Sequence, residues 1–180
     1  PDARSLSKQE VDEYQHAWRT YTSSDPKDLM RLLSRKLDNS TLFNAMRQLV
    51  YRYPSVETGL CRHDEDLLRN TGTHGHVAAR IIGQTMGSGD SRDIPGDDYL
   101  FYRLQRLGQF HRSRPLLILT GDCKSMRSCY AKLTEYGQQV LEGNPVALQN
   151  DDIDDWIGGV HLSKKMSIPF RIKDELYLPV

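Results

Sequence analysis

Apolar residues along this chain recur mostly at helical spacing, with a short strand-like block late in the sequence. Val11, Tyr14, Trp18 and Tyr21 stand three or four residues apart and form one stripe of a helix. Ser7-Lys8-Gln9-Glu10 has the form of a capping box and would open that helix at about Lys8, to run as far as Tyr21. Asp25-Pro26 supplies an N-cap and a proline at the first helical position, followed by Leu29, Leu32, Leu33 and Leu37. Ser40 opens a third helix through Leu42, Ala45, Met46, Leu49, Val50 and Tyr53, and Pro54 closes it. After a linker, Arg62 to Asn70 reads as a short helix around Leu67 and Leu68. Thr73 caps the next, with Val77, Ile81, Ile82 and Met86.

The stretch from Asp97 to Leu141 organises the rest. Leu100, Leu104 and Leu107 share one helical face, and Tyr102, Gln105, Arg106 and Gln109 lie on the other. Asp97 or Asp98 caps this helix after Pro95-Gly96, and Pro115 marks its latest end, which predicts about four turns. Pro115 to Leu119 is of strand type, Thr120 to Ser128 forms a polar tip, and Tyr130 to Leu133 returns antiparallel. Thr134 then caps Glu135 to Glu142, with Gly143 as the stop. Helix, wing and closing helix are the parts of a winged helix-turn-helix. The connection from Gly87 to Gly96 is longer than that fold's usual turn.

Beyond Gly143, Asp151, Asp152, Asp154 and Asp155 lead into Trp156 to Leu162, which reads as a glycine-kinked strand, and Pro169 to Ile172 and Glu175 to Val180 add two more strands. The pattern predicts a mainly α, α+β chain in three segments. Residues 1–56 form a three-helix bundle, 57–145 a winged-helix-like domain, and 146–180 a small β extension. Leu100, Leu104, Leu107, Leu117, Leu133 and Val140 are expected to share one core, partly covered by Trp156.

Charge sharpens this picture. The 180 residues carry 24 basic and 24 acidic side chains, so net charge alone points away from a polyanion partner. Between Tyr102 and Leu133, however, Arg103, Arg106, Arg112, Arg114, Lys124, Arg127 and Lys132 face a single acid, Asp122. The basic excess sits on the helix and wing that such a fold offers to DNA. Tyr102, Gln105, Arg106 and Gln109 are candidates for base contacts, since Arg and Gln make bidentate bonds to base edges, and Arg112, Arg114, Lys124 and Arg127 are candidates for phosphates. The competing reading of the helix face is a solvated surface.

Other chemistry is sparse. His74-Gly75-His76, near His63 and Asp64, lacks the i, i+4 spacing of a zincin and is expected at a helix start, so no metal is assigned. The aspartates from 151 to 155 lack the glycine and closing glutamate of a calcium loop and read as a solvated turn. Cys123 and Cys129 read as free thiols, and three cysteines without framework spacing suggest a reducing cytoplasm. With no nucleophile elbow, Walker loop or dinucleotide fingerprint, no catalytic residue or cofactor is expected. Apolar runs are too short for a membrane span.

Trp18 with Asp25-Pro26, Tyr53-Pro54 with Gly59-Leu60, Gly96-Asp97, Pro115-Leu116-Leu117, Leu133-Thr134 with Gly137, Val140, Leu141 and Gly143, and Trp156-Ile157-Gly158-Gly159-Val160 occur in this order. Together they resemble the C-terminal region of an uncharacterised bacterial family, the domain of unknown function of the 1835 type. The resemblance implies a fold, no catalytic residues, and a further N-terminal domain that this stretch lacks. Two functions therefore stand open. One is a winged helix binding double-stranded DNA; the other is a structural or protein-interaction module serving that missing domain.

Overall fold

The structure is a computed structural model that describes residues 4–35, 37–88, 93, 95–109, 114–143, 153–163 and 168–179. The chain is α+β. Helix α1 (Lys8–Thr22) begins at the capping box: Ser7 Oγ accepts the Glu10 amide and the Glu10 carboxylate accepts the Ser7 amide at 2.8 Å. Helix α2 (Pro26–Arg35) starts at the proline, with Asp25 accepting the Lys27 amide at 2.9 Å. Asn39, one residue ahead of the expected opener, caps α3 (Ser40–Gln48), which tightens into a 3₁₀ turn over Leu49–Arg52 before Pro54.

The middle of the chain runs α4 (Arg62–Thr71), β1 (His76–Val77), α5 (Ala78–Ser88), α6 (Asp97–Arg106), β2 (Leu117–Gly121), β3 (Cys129–Leu133) and α7 (Glu135–Leu141). The three strands form one antiparallel sheet in the order β1-β3-β2, with His76 opposite Ala131 and Leu119 opposite Ala131 on the other side. His76 was expected in a helix start and instead pairs in β1, so α5 begins two residues later. Helix α6 is also shorter than expected. It stops at Arg106 because Gly108 must lie against Leu119, where a β-carbon would collide with its side chain. In α7 the Thr134 hydroxyl caps the Gly137 amide at 2.9 Å, and Gly137 lets the helix approach the Leu116 carbonyl.

Two hairpins complete the chain, β4 (Asp154–Ile157) with β5 (Val160–Ser163) and β6 (Phe170–Ile172) with β7 (Glu175–Tyr177). The expected kinked strand over Trp156 to Leu162 is thus a hairpin with Gly158 and Gly159 as its two-residue turn. Gly158 takes φ +58°, and a β-carbon on either glycine would collide with the Tyr21 or Thr22 carbonyl. The turn rests on the end of α1, where the Gly159 amide donates to Tyr21 O at 2.8 Å.

The buried apolar residues gather in two clusters. One holds Leu100, Leu104, Leu107, Leu117, Leu133 and Val140, as the periodicity predicts, together with Leu67 and Ile81. The other joins Ala17, Leu29, Leu32, Met46 and Val50 of the N-terminal helices to Ile157, Val160, Leu162 and Leu176 of the last strands and to Ile168 just ahead of β6. Trp156 covers neither: it is 67% exposed, because β4 turns Ile157 inward and Trp156 outward. None of the described helices is long and apolar enough to cross a membrane.

Candidate nucleic-acid interface

Helix α6 buries Leu100, Leu104 and Leu107, and Arg103 lies on the same stripe at 6% exposure. A charge in that position demands a partner, and two acids supply it. Arg103 Nε and Nη2 donate to Asp64 of α4 at 2.9 and 2.5 Å, and Nη1 donates to Asp155 of β4 at 2.5 Å. Burial opposes the guanidinium charge, but Asp64 and Asp155 contribute to an offset that leaves the arginine pKa well above its ordinary value. Cys61 lies 3.6 Å from Nη2, and burial pushes its thiol up to about 12, so it is protonated and unreactive.

The polar face of α6 is engaged as well. Arg106 Nη1 donates to Asp154 O at 2.7 Å and to the Asp155 carboxylate at 3.0 Å, with the Tyr102 ring 5.9 Å from its guanidinium. Gln105 Nε2 donates to Cys123 O at 2.6 Å, which ties the helix to the β2–β3 tip. Gln109 donates to Leu119 O at 2.8 Å and accepts the Leu119 amide at 2.7 Å, satisfying a stretch of β2 as a neighbouring strand would. Of the four residues assigned to bases, Tyr102 alone is exposed, and the other three are half-buried. The first turn of α6 presents Asp97 and Asp98 to solvent.

Among the residues assigned to phosphates, Lys124 and Arg127 are exposed on the tip, and Arg114 is exposed with its guanidinium 4.0 Å over the Tyr136 ring. Arg112 lies outside the described residues. The tip itself corrects a sequence expectation: Cys123 and Cys129 form a disulfide, with Cα atoms 4.4 Å apart. Gly121 turns at φ +81°, and Ser128 Oγ donates to Asp122 O at 3.0 Å, so the loop folds back and brings the sulfurs together. That pairing removes the ground on which the cysteine count suggested a reducing compartment.

The other groups singled out in the sequence disperse. His74 is exposed with its carbonyl accepting the Tyr130 hydroxyl at 3.0 Å, and His76 lies in β1. Asp151 and Asp152 lie outside the described residues, whereas Asp154 pairs with His161 at 2.6 Å and is held below the usual carboxylate range by it. His161 in turn stacks on Trp156, with ring centroids 4.3 Å apart. Among the described residues, no cluster of three or more His, Cys, Asp or Glu is arranged to hold a metal ion.

Sequence reasoning missed Asp64, Arg103 and Asp155 as a unit, although a signal existed. Asp64 shares the spacing of Leu67, Leu68 and Thr71, and Arg103 that of Leu100, Leu104 and Leu107; opposite charges on two apolar stripes point to each other. Comparison with known proteins gives no match, whether to a family model, a curated protein or a solved structure.

Proposed function

We propose that this chain is a winged-helix module that works through protein contacts and not by reading DNA bases. The order α4-β1-α5-α6-β2-β3, with its sheet ordered β1-β3-β2, supports the winged-helix reading. In that arrangement α6 occupies the recognition position. The observation that carries the conclusion is the β4 strand against it, where Asp154 O and the Asp155 carboxylate hold Arg106. A base-reading helix needs free donors on its outer face, and here Gln105, Arg106 and Gln109 already have partners within the chain. The exposed Asp97 and Asp98 in its first turn repel phosphates at the end where recognition helices approach them.

Lys124, Arg127 and Arg114 favour a second reading, contact of the wing with a nucleic-acid backbone without sequence preference. Fluorescence anisotropy with labelled duplexes at several salt concentrations separates the two. The protein-contact reading expects binding no tighter than roughly millimolar even at low salt, weaker than ordinary non-specific DNA binding. Tighter binding would overturn it if its log-log salt slope, roughly −0.9 per phosphate contact, became shallower in Lys124→Ala and Arg127→Ala.

A further inference from the structure

Helices α1 and α2 are joined by Ser23, Ser24 and Asp25 alone and pack on each other. Between them lies a recess of about 190 Å³, lined by His16, Arg19, Thr20, Asp28, Arg31 and Arg35. On α1, His16, Arg19 and Thr20 stand three and four residues apart, and on α2 Asp28, Arg31 and Arg35 follow the same steps, so each set shares one helical face. Three guanidinium groups from two helices therefore line one hollow with a single carboxylate. That leaves two positive charges in excess before His16 is considered.

A solvated surface is the ordinary reading of exposed arginines, and two features of this hollow depart from it. Its cations are only partly neutralised within the fold. Arg35 makes no hydrogen bond or ion pair among the described residues, and Arg19 donates to the Gln15 side-chain oxygen at 3.1 Å. Arg31 pairs with Asp28 and lies 4.0 Å from Asp25. The Ser23 hydroxyl, 2.6 Å away, and then Arg31 hold the Asp28 carboxyl below the usual carboxylate range, so this acid is already engaged and fixes Arg31 in place. The second feature is Thr20, which is 8% exposed while its hydroxyl makes no hydrogen bond among the described residues. Thr22, Thr71 and Thr85 return theirs to the carbonyl four residues back, the usual recourse of a threonine inside a helix. Thr20 keeps a donor free beside the recess.

We propose that this recess binds a phosphate group, as a phosphate monoester or inorganic phosphate. Charge and shape select it. A monoester carries about two negative charges at neutral pH and matches the excess, whereas a lone carboxylate or a phosphodiester carries one. Its three terminal oxygens suit donors that arrive from two sides, Arg19 and Thr20 of α1 and Arg31 and Arg35 of α2. The volume exceeds the roughly 30 Å³ of one water several times over, so the group enters with part of its hydration. None of the lining residues belongs to α6 or the β2–β3 tip, so this site goes beyond the function read from those elements and stands or falls apart from it.

An NMR titration of the isotope-labelled full chain with sodium phosphate, at ionic strength held constant with sodium chloride, tests the proposal. The expected result is saturable shifts of the α1 and α2 amides and of the His16 ring, with a dissociation constant of about 1 mM or tighter. Arg35→Ala should weaken binding at least about fivefold with an unchanged circular dichroism spectrum, and Thr20→Val, similar in shape but without the donor, at least about threefold. Lys27→Ala takes the same charge from α2 outside the recess and should bind phosphate as the wild type does. A parallel titration with a phosphoserine peptide separates the sources: tighter binding than inorganic phosphate assigns the group to a phosphorylated protein segment, and equal or weaker binding to a free phosphate compound. Shifts that stay linear to about 20 mM, or an Arg35→Ala variant that binds like Lys27→Ala, would overturn the site.

Discussion

Helices α1 and α6 have the same kind of sequence, an apolar stripe with a polar face, and the fold uses them in opposite ways. Helix α6 buries its leucines and ties Gln105 and Arg106 of its polar face to neighbouring segments, leaving Asp97, Asp98 and Tyr102 at the surface. Helix α1 buries an alanine and a threonine, and its aromatic stripe meets solvent. Periodicity establishes that a helix has two faces. Which face turns inward depends on what the neighbouring elements bring, and α6 meets acids from α4 and β4 where α1 meets the backbone of a glycine turn. Among the described residues, α1 therefore turns an aromatic stripe to solvent where α6 turns its leucines inward.

The largest expected effect is on the α6 side. Arg103→Met takes the guanidinium away from the buried Asp64 carboxylate and should cost about 3–5 kcal/mol in urea unfolding, whereas pairing it with Asp64→Leu should recover most of the loss. A single variant as stable as the wild type would mean that α6 is not locked from within. A smaller effect sharpens the same contrast through pH. His63 of α4 sits edge-on to Tyr99 of α6 at 6.2 Å, 3.6 Å from Asp93, and burial lowers its pKa. The folded chain therefore binds this proton less readily than the unfolded one. The contribution is complete above the unfolded histidine value of about 6.5 and is lost as pH falls below it. His63→Gln should flatten that part of the stability–pH curve; an unchanged slope would assign the acid sensitivity elsewhere.

Much of this architecture was legible in the chain. The Ser7–Glu10 box, Asp25-Pro26 and Thr134 mark helix starts that the structure keeps, since each supplies a side chain or ring suited to the first turn. The leucines of α6 and β2 found their core. The site was less legible, because Gln105, Arg106 and Gln109 look the same in sequence whether they face a groove, water or another segment. Their partners lie 10 to 49 residues away, at Leu119, Cys123 and Asp155, beyond the reach of local pattern. The end of α6 was misread for a related reason: Gly108 stops the helix through contact with Leu119, a tertiary cause. The Cys123–Cys129 pairing likewise depends on the fold-back of the tip, and the outward turn of Trp156 on which face of β4 meets the core.

The contrast between the two helices is tested most directly by urea unfolding of Trp18→Glu and Arg106→Glu side by side. Trp18→Glu should change stability by less than about 0.5 kcal/mol, as for a surface substitution. Arg106→Glu should cost about 1–3 kcal/mol, because it removes charge-assisted bonds and sets a carboxylate beside Asp155. The reverse order, with Trp18→Glu the more damaging of the two, would mean that the stripe of α1 is part of the core and the polar face of α6 is free.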